Sequence, residues 1–255
     1  MSLVEYTVSD GVGTIKLNRP PVNALSTELI DAIGEAIDLA GDPDTRAVVI
    51  TGSPHFAAGA DISGFQAAQK ADVQDSLAQR LLDVTGQLEA LPKPTIAAVN
   101  GYALGGGLEL AMGADFRYLG ESAKVGQPEV LLGIIPGAGG TQRLARLVGP
   151  QRCKEMCFSG RQVGAEEALA LGIAAKVLAD ADVITAAVED AAAFAKGPTL
   201  AYAAIKDSVR MGYGRSLEEG LAIEAERFGS VFGSNDAKAG VEAFLGKTKP
   251  TFSGS

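Results

Sequence analysis

The chain has 255 residues, 47% hydrophobic and 21% charged, long enough for a globular protein that buries about three quarters of its unfolded surface. A net charge of −9 argues against nucleic acid and anionic membrane as partners, and no apolar run approaches the roughly 20 residues of a membrane span. The opening stretch MSLVEYTVSDG lacks the basic flank and apolar core of a signal peptide, so the expectation is a soluble, cytoplasmic protein.

Two alternating segments, Leu3 to Val8 and Val12 to Leu17, flank Ser9-Asp10-Gly11 and predict a hairpin. After Asn18-Arg19-Pro20-Pro21 a helix is expected. Leu29, Ile30, Ile33, Ile37 and Ala40 carry its periodicity, Ser26 or Thr27 caps it, and Gly41-Asp42-Pro43 stops it. Ala47 to Thr51 is a continuous apolar run of the kind found in strands covered on both faces. It ends in the small-residue loop SPHFAAGADIS, and the end of a buried strand is where α/β folds usually place ligands. A helical pattern from Ala71 to Leu91 is closed by Pro92 and Pro94.

The stretch from Pro94 to Asp115 carries the strongest local signal. A short strand, Thr95 to Val99, is stopped by Asn100-Gly101 and then by Gly105, Gly106 and Gly107 before an apolar helix begins. Glycines there permit close backbone approach, and the free N–H groups of a first helical turn favour negative charge. Gly106 is accordingly expected at a pocket and not in the packed core. Glu109 falls in that first turn among Leu108, Leu110, Ala111 and Met112. Either it faces solvent and complements the helix dipole, or it is held inside for chemistry; position alone leaves both open.

Short strands follow near Phe116 to Leu119 and Lys124 to Gly126, and then the loop GQPEVLLGIIPGAGGTQRL. Glu129 stands in it between a proline turn and an apolar run, Val130 to Leu132, that is expected to be buried. A cap, an ion pair with Arg143 or Arg146, and a catalytic carboxylate all fit that position. Helices then dominate: 139–148, 150–158, 164–171, 180–196, 198–212, 216–231 and 235–245, with one strand, Ala174 to Leu178, among them. The shift in composition near Gly197-Pro198 marks a helical C-terminal region, and the tail KTKPTFSGS is expected to fray.

Searches for other chemistries remove competitors. GKT at Gly246 to Thr248 lacks the preceding glycine and strand of a phosphate loop, and GxSxG, HExxH and an early GxGxxG are absent. His55 is the only histidine, so a Ser-His-Asp triad would have to rest on it. Cys153 and Cys157 have helical i, i+4 spacing but no further thiol or histidine to complete a metal site, and are read as buried free thiols with no metal. Two small-residue loops and two carboxylates remain. Paired carboxylates in a water-poor pocket push their pKa values apart, giving one group to release a proton and one to take it, beside a helix start suited to an oxyanion.

FAAGADI at 56–62, AVNGYALGGGLELAMGAD at 98–115 and GQPEVLLGIIPGAGGTQRL at 126–144 resemble the crotonase superfamily, specifically its enoyl-CoA hydratases. The resemblance extends from LNRPPVNAL at 17–25 through GRQVGAEEALALGI at 160–173 to AFLGKTKPTF. It implies an α/β fold: a spiral of repeated strand-strand-helix units over residues 1–197 with the active site, and a helical region over 198–255 that builds trimers, often paired into hexamers. It also implies an oxyanion hole from the backbone N–H groups of Ala60 and Gly106, catalysis by Glu109 on water and Glu129 on the α-proton, and substrate contacts from Ala58, Asp61, Ile62 and Gly137.

The implied activity is hydration of a trans-2-enoyl-CoA to a 3-hydroxyacyl-CoA, as in fatty-acid β-oxidation, with coenzyme A part of the substrate and no separate cofactor. An enoyl-CoA isomerase needs only one acid/base, and a non-catalytic acyl-CoA-binding protein would be expected to lose a glutamate; both remain alternatives. Many relatives carry lysines where this chain has Ser63 and Pro21, so phosphate contacts fall to Arg19 or to Lys247 and Lys249. Leu108 stands where cysteine is common, and the segment Gly64 to Ala78 is expected to line the acyl pocket.

Overall fold

The computed structural model describes residues 2–61 and 76–255. Ile62, most of the Gly64 to Ala78 segment and residues 71–75 of the expected second helix lie outside the described residues. Among the described residues ten strands are interspersed with helices: β1 (Val4–Ser9), β2 (Val12–Leu17), α1 (Thr27–Leu39), β3 (Ala47–Gly52), β4 (Ala57–Ala58), α2 (Ser76–Ala90), β5 (Thr95–Val99), β6 (Tyr102–Leu104) and α3 (Gly106–Met112). Then come β7 (Phe116–Gly120), β8 (Lys124–Gly126), a 3-10 turn (Glu129–Leu132), α4 (Gly140–Ser159), β9 (Val163–Gly164), α5 (Ala165–Ala170) and β10 (Lys176–Leu178). Four helices complete the chain: α6 (Val183–Ala195), α7 (Thr199–Gly212), α8 (Leu217–Phe232) and α9 (Asn235–Gly246).

The strands form two sheets. The larger has the order β1-β2-β3-β5-β7-β10 and the smaller β4-β6-β8-β9. Each of β3, β5 and β7 is followed by a short strand of the small sheet before the chain enters its next helical segment, so successive strand-strand-helix turns stack as a spiral. Pairing is parallel except for the β1/β2 hairpin and β8/β9. Parallel stacking brings the C-terminal ends of β3, β5 and β7 to one side, and the loops that continue from them into β4, β6 and β8 lie side by side.

The apolar run of β3 sits between two cores. Val48 and Ile50 point to the side of α1, α2 and α3, whereas Ala47 and Val49 point to α6, and β5 divides Ala97 and Val99 from Ile96 and Ala98 in the same way. With a period of two and both faces covered, every residue of β3 is buried. The start of α1 is fixed by Ser26, whose side chain accepts from the Leu29 N–H, a cap of about 1 kcal/mol. Gly149, with φ 80° and ψ 159°, breaks helical geometry inside α4, so α4 consists of two helical segments on either side of it, as the expected pair at 139–148 and 150–158 has it.

Two expectations are corrected. The run Val130 to Leu132 is not buried: Leu131 is 72% exposed. The 3-10 turn is too short to present an inner face, and its apolar side chains reach the mouth of a cavity. The C-terminal tail does not fray either. Asp236 accepts from the Ser253 and Gly254 N–H groups, and Arg46 donates to the Phe252 carbonyl. The same guanidinium donates to the Gly197 carbonyl and the Thr199 hydroxyl, which ties the helical region to the first turn of the spiral.

Candidate active site

Four segments surround a cavity of about 310 Å³: Ala58 to Ala60 after β4, Leu104 to Gly106 leading into α3, Pro128 to Ile135 around the 3-10 turn, and Gly137-Ala138 before α4. Leu77, Ala78 and Leu81 of α2 supply apolar wall. The cavity therefore collects loops that are far apart in sequence and adjacent only because the strands behind them pair in parallel.

The three glycines at the start of α3 have separate structural reasons. Gly105 adopts φ +53°, and a side chain there would bring its Cβ to 2.8 Å from Glu129 Oε1. A Cβ on Gly107 would run into the Ala57 carbonyl, so the helix can lie against β4 only without one. Gly106 lines the cavity and is also buried: its Cβ would meet Leu81 Cδ2 at 2.7 Å, with the Ala60 nitrogen 3.9 Å away. The expectation that Gly106 stands clear of the packed core is thus corrected. The backbone of Ala60 lies beside that of Gly106 at the cavity wall, and the Gly106 N–H, on the first residue of α3, comes before the helix's i to i−4 ladder begins.

Glu109 is 2% exposed, which excludes the solvent-facing reading. Its Oε1 accepts from the Ala138 N–H at 2.8 Å and the Gly140 N–H at 2.7 Å. Burial holds its carboxyl above the ordinary carboxylate range, while those two N–H donors and the Arg143 charge pull the other way. Glu129 faces the same cavity and is pushed up to about 7, first by burial and then by the charge of Glu109. Neither Arg143 nor Arg146 pairs with it: Arg143 binds Glu89, and Arg146 binds the Gln142 carbonyl. A group poised near neutrality beside a second carboxylate is suited to giving and taking protons.

Ala58, Ala60, Gly106, Glu109, Glu129 and Gly137 all line the cavity. Asp61 does not; its carboxylate pairs with Arg19 at 2.5 Å, so that arginine is already engaged by a carboxylate and by the Ala24 carbonyl. His55 stacks on Tyr102 and accepts from its backbone N–H, a loop role in which no Ser-His-Asp arrangement is seen among the described residues. Cys153 and Cys157 are free thiols, and burial with its neighbour pushes Cys157 up to about 12. Sequence reasoning missed Gln127. It is fully buried beside Glu129, and the amide orientation that gives both its oxygen and its nitrogen partners makes it a donor to both carboxylate oxygens. The signal was present as a polar side chain two residues before Glu129, preceding a proline.

The sequence model of the enoyl-CoA hydratase/isomerase family matches residues 7–255. A probable enoyl-CoA hydratase of Bacillus subtilis is 40% identical over 257 residues, covering all of both chains. The mitochondrial enoyl-CoA hydratase of Pongo abelii is 42% identical over 94% of this chain and 83% of its own. The crystal structure of an enoyl-CoA hydratase from Bacillus anthracis superposes with a TM-score of 0.94 at 34% identity, covering all of both chains.

Proposed function

The chain belongs to the enoyl-CoA hydratase/isomerase family of the crotonase superfamily, and from that membership together with the cavity we infer that it is an enoyl-CoA hydratase, a hydro-lyase acting on acyl-CoA thioesters. The observation that carries the reading is the pair Glu109 and Glu129 on the same cavity as the Ala60 and Gly106 backbone.

In this reading the thioester carbonyl oxygen of a trans-2-enoyl-CoA sits against the Ala60 and Gly106 N–H groups. Negative charge grows on that oxygen as the enolate forms, and each fixed donor lowers the barrier by about 3 kcal/mol, the scale of other oxyanion holes. Glu109, held through Oε1, takes a proton from water as its oxygen bonds to Cβ. Glu129 delivers a proton to Cα, and its elevated pKa keeps that proton available near neutrality. Water is added across the double bond, so atoms and electrons balance without an electron acceptor. An isomerase would need one acid/base group; two carboxylates on the cavity favour hydration.

Apolar side chains stand exposed on the outer helices, among them Ile205 and Val209 on α7, Phe228 and Phe232 on α8, and Phe244 on α9. Patches of this kind mark contact surfaces, and they support assembly of the chain as a homotrimer or a pair of trimers. Among the described residues no helix is long and apolar enough to cross a membrane.

The direct test of the activity is loss of the conjugated enoyl-thioester absorbance when purified protein meets crotonyl-CoA or a longer enoyl-CoA. Tight binding without loss of absorbance at any chain length would favour an acyl-CoA-binding protein instead.

A further inference from the structure

We propose that Arg143 is a positioning residue for Glu109, clamping the 138–140 segment to α2 so that the carboxylate that activates water is held in one place. The inference rests on the hydratase reading above. Glu109 sits on a helix of only seven residues, and the two N–H groups that hold its Oε1 belong to Ala138 and Gly140, just ahead of α4. Their placement decides where the carboxylate points.

Arg143, one turn into α4, reaches back over this segment. Its Nη1 donates to the Ala138 carbonyl at 2.9 Å, on the residue whose N–H binds Glu109. Its Nη2 and Nε donate to Glu89 Oε2 at 2.7 and 3.2 Å, near the end of α2. The guanidinium lies close over the turn, since a Cβ on Gly139 (φ +100°) would collide with Nη1. One planar side chain therefore links α2, the helix that carries Leu77, Ala78 and Leu81 on the cavity wall, to the backbone that holds the base. A lysine has one charged point in place of a fork and cannot span both acceptors in this geometry.

Among the described residues the titratable and charged groups around Glu109 are Glu129 from the 3-10 turn, the Cys157 thiol from α4, and Arg143 with its partner Glu89. Arg143 is the group there whose charge favours the ionised form of Glu109.

The experiment compares wild type, Arg143→Met, Arg143→Lys and Glu89→Gln on crotonyl-CoA across pH, with thermal melting as a control for folding. Arg143→Met is expected to lower kcat by about tenfold to a hundredfold with KM nearly unchanged, as for a small displacement of a catalytic group. Its acid limb of kcat/KM is expected to move to higher pH, because a cation favouring the carboxylate is gone. Arg143→Lys should keep the limb near its wild-type position yet lose kcat, and Glu89→Gln should show a smaller loss of kcat. A folded Arg143→Met with kcat within about twofold of wild type and an unmoved acid limb overturns the inference. If that variant does not fold, wild-type kcat in both Arg143→Lys and Glu89→Gln overturns it. A wild type inactive on every enoyl-CoA overturns the functional reading and this inference with it, whereas an active wild type beside an unaffected Arg143→Met overturns the inference alone.

Discussion

Gln127 is buried beside Glu129, and with its amide assigned in the orientation that gives both of its atoms partners, its nitrogen lies 3.0 Å from Oε1 and 3.2 Å from Oε2. A donor shared between the oxygens favours the charged carboxylate and also fixes where the group points. Replacing Gln127 with Leu keeps most of the volume and removes the donor. Glu129 should then hold its proton to higher pH, moving the alkaline limb of kcat/KM upward, and kcat should fall as the side chain gains freedom. An unmoved limb with wild-type kcat would show that Gln127 only fills space.

Glu109→Gln and Glu129→Gln preserve shape, and at position 109 the amide oxygen can still accept from the Ala138 and Gly140 N–H groups. Each variant is expected to fold and to lose about a hundredfold to ten-thousandfold in kcat, far more than it loses in substrate affinity. Activity within about twofold of wild type in either variant would remove that residue from the mechanism.

The elevated pKa of Glu129 has a consequence for stability whose sign is fixed by proton bookkeeping. In the folded chain the group titrates at about 7, against about 4.3 when unfolded. Between those values the folded protein holds a proton that the unfolded chain has released, so stability falls as pH rises through the window. Glu129→Gln abolishes this linkage. The difference in Tm, variant minus wild type, should therefore become more positive between pH 5 and pH 8, and a difference that stays flat would contradict the assignment.

The proposed oxyanion hole is carried by backbone, so its cleanest test removes an N–H. Ala60→Pro deletes that donor while the flanking bonds from Leu25 N–H to the Gly59 carbonyl and from Asp61 N–H to the Leu25 carbonyl can remain. Hydration is expected to fall by about a hundredfold or more. Gly106→Val should also inactivate, but with a drop in Tm, because the new side chain has to displace Leu81 and Leu25 at an overpacking cost of about 1–3 kcal/mol. A folded Ala60→Pro that hydrates crotonyl-CoA at a comparable rate would place the oxyanion donors elsewhere.

Assembly can be tested on the exposed faces of α7 and α8, where Val209 is 63% and Phe232 69% exposed in the single chain. Placing aspartate at either position should shift the mass measured by light scattering from the proposed trimer or hexamer toward the monomer, since a charge would be buried without a partner. Unchanged mass in both variants would mean that these faces are not the contact.

Strands covered on both faces and helices with clear caps were legible in the sequence. Ala47 to Gly52 and Thr95 to Val99 emerge where their apolar runs placed them, and Ser26 caps α1 as its residue type suggests. The small sheet was not read from local pattern, because β4, β6 and β9 have two or three residues each and exist only through their neighbours. The run Val130 to Leu132 misled for a related reason: apolar residues signal burial against something, and here that something is a cavity wall and open surface. Glu109 and Glu129 could be singled out as carboxylates among apolar neighbours. Their supports, Gln127 and the chain from Arg143 to Ala138, depend on contacts between segments that sequence spacing does not encode.

The way Glu109 is held also bears on how such a pocket tolerates inheritance. Its oxygen is gripped by two main-chain amides, and the proposed oxyanion donors are main-chain amides as well, so almost any codon change at Ala138 or Ala60 leaves those donors in place. Vulnerability shifts to glycines where a Cβ has no room: Gly105 beside Glu129, Gly107 against the Ala57 carbonyl, and Gly140, which donates its N–H to Glu109 and where a Cβ would stand 2.9 Å from Oε1. A saturation library screened for hydration of crotonyl-CoA would be depleted most sharply at those glycines and at the two glutamates. The apolar wall at Leu77, Leu131 and Ile135 would be free to vary, leaving descendants able to trade one acyl chain for another without rebuilding the chemistry.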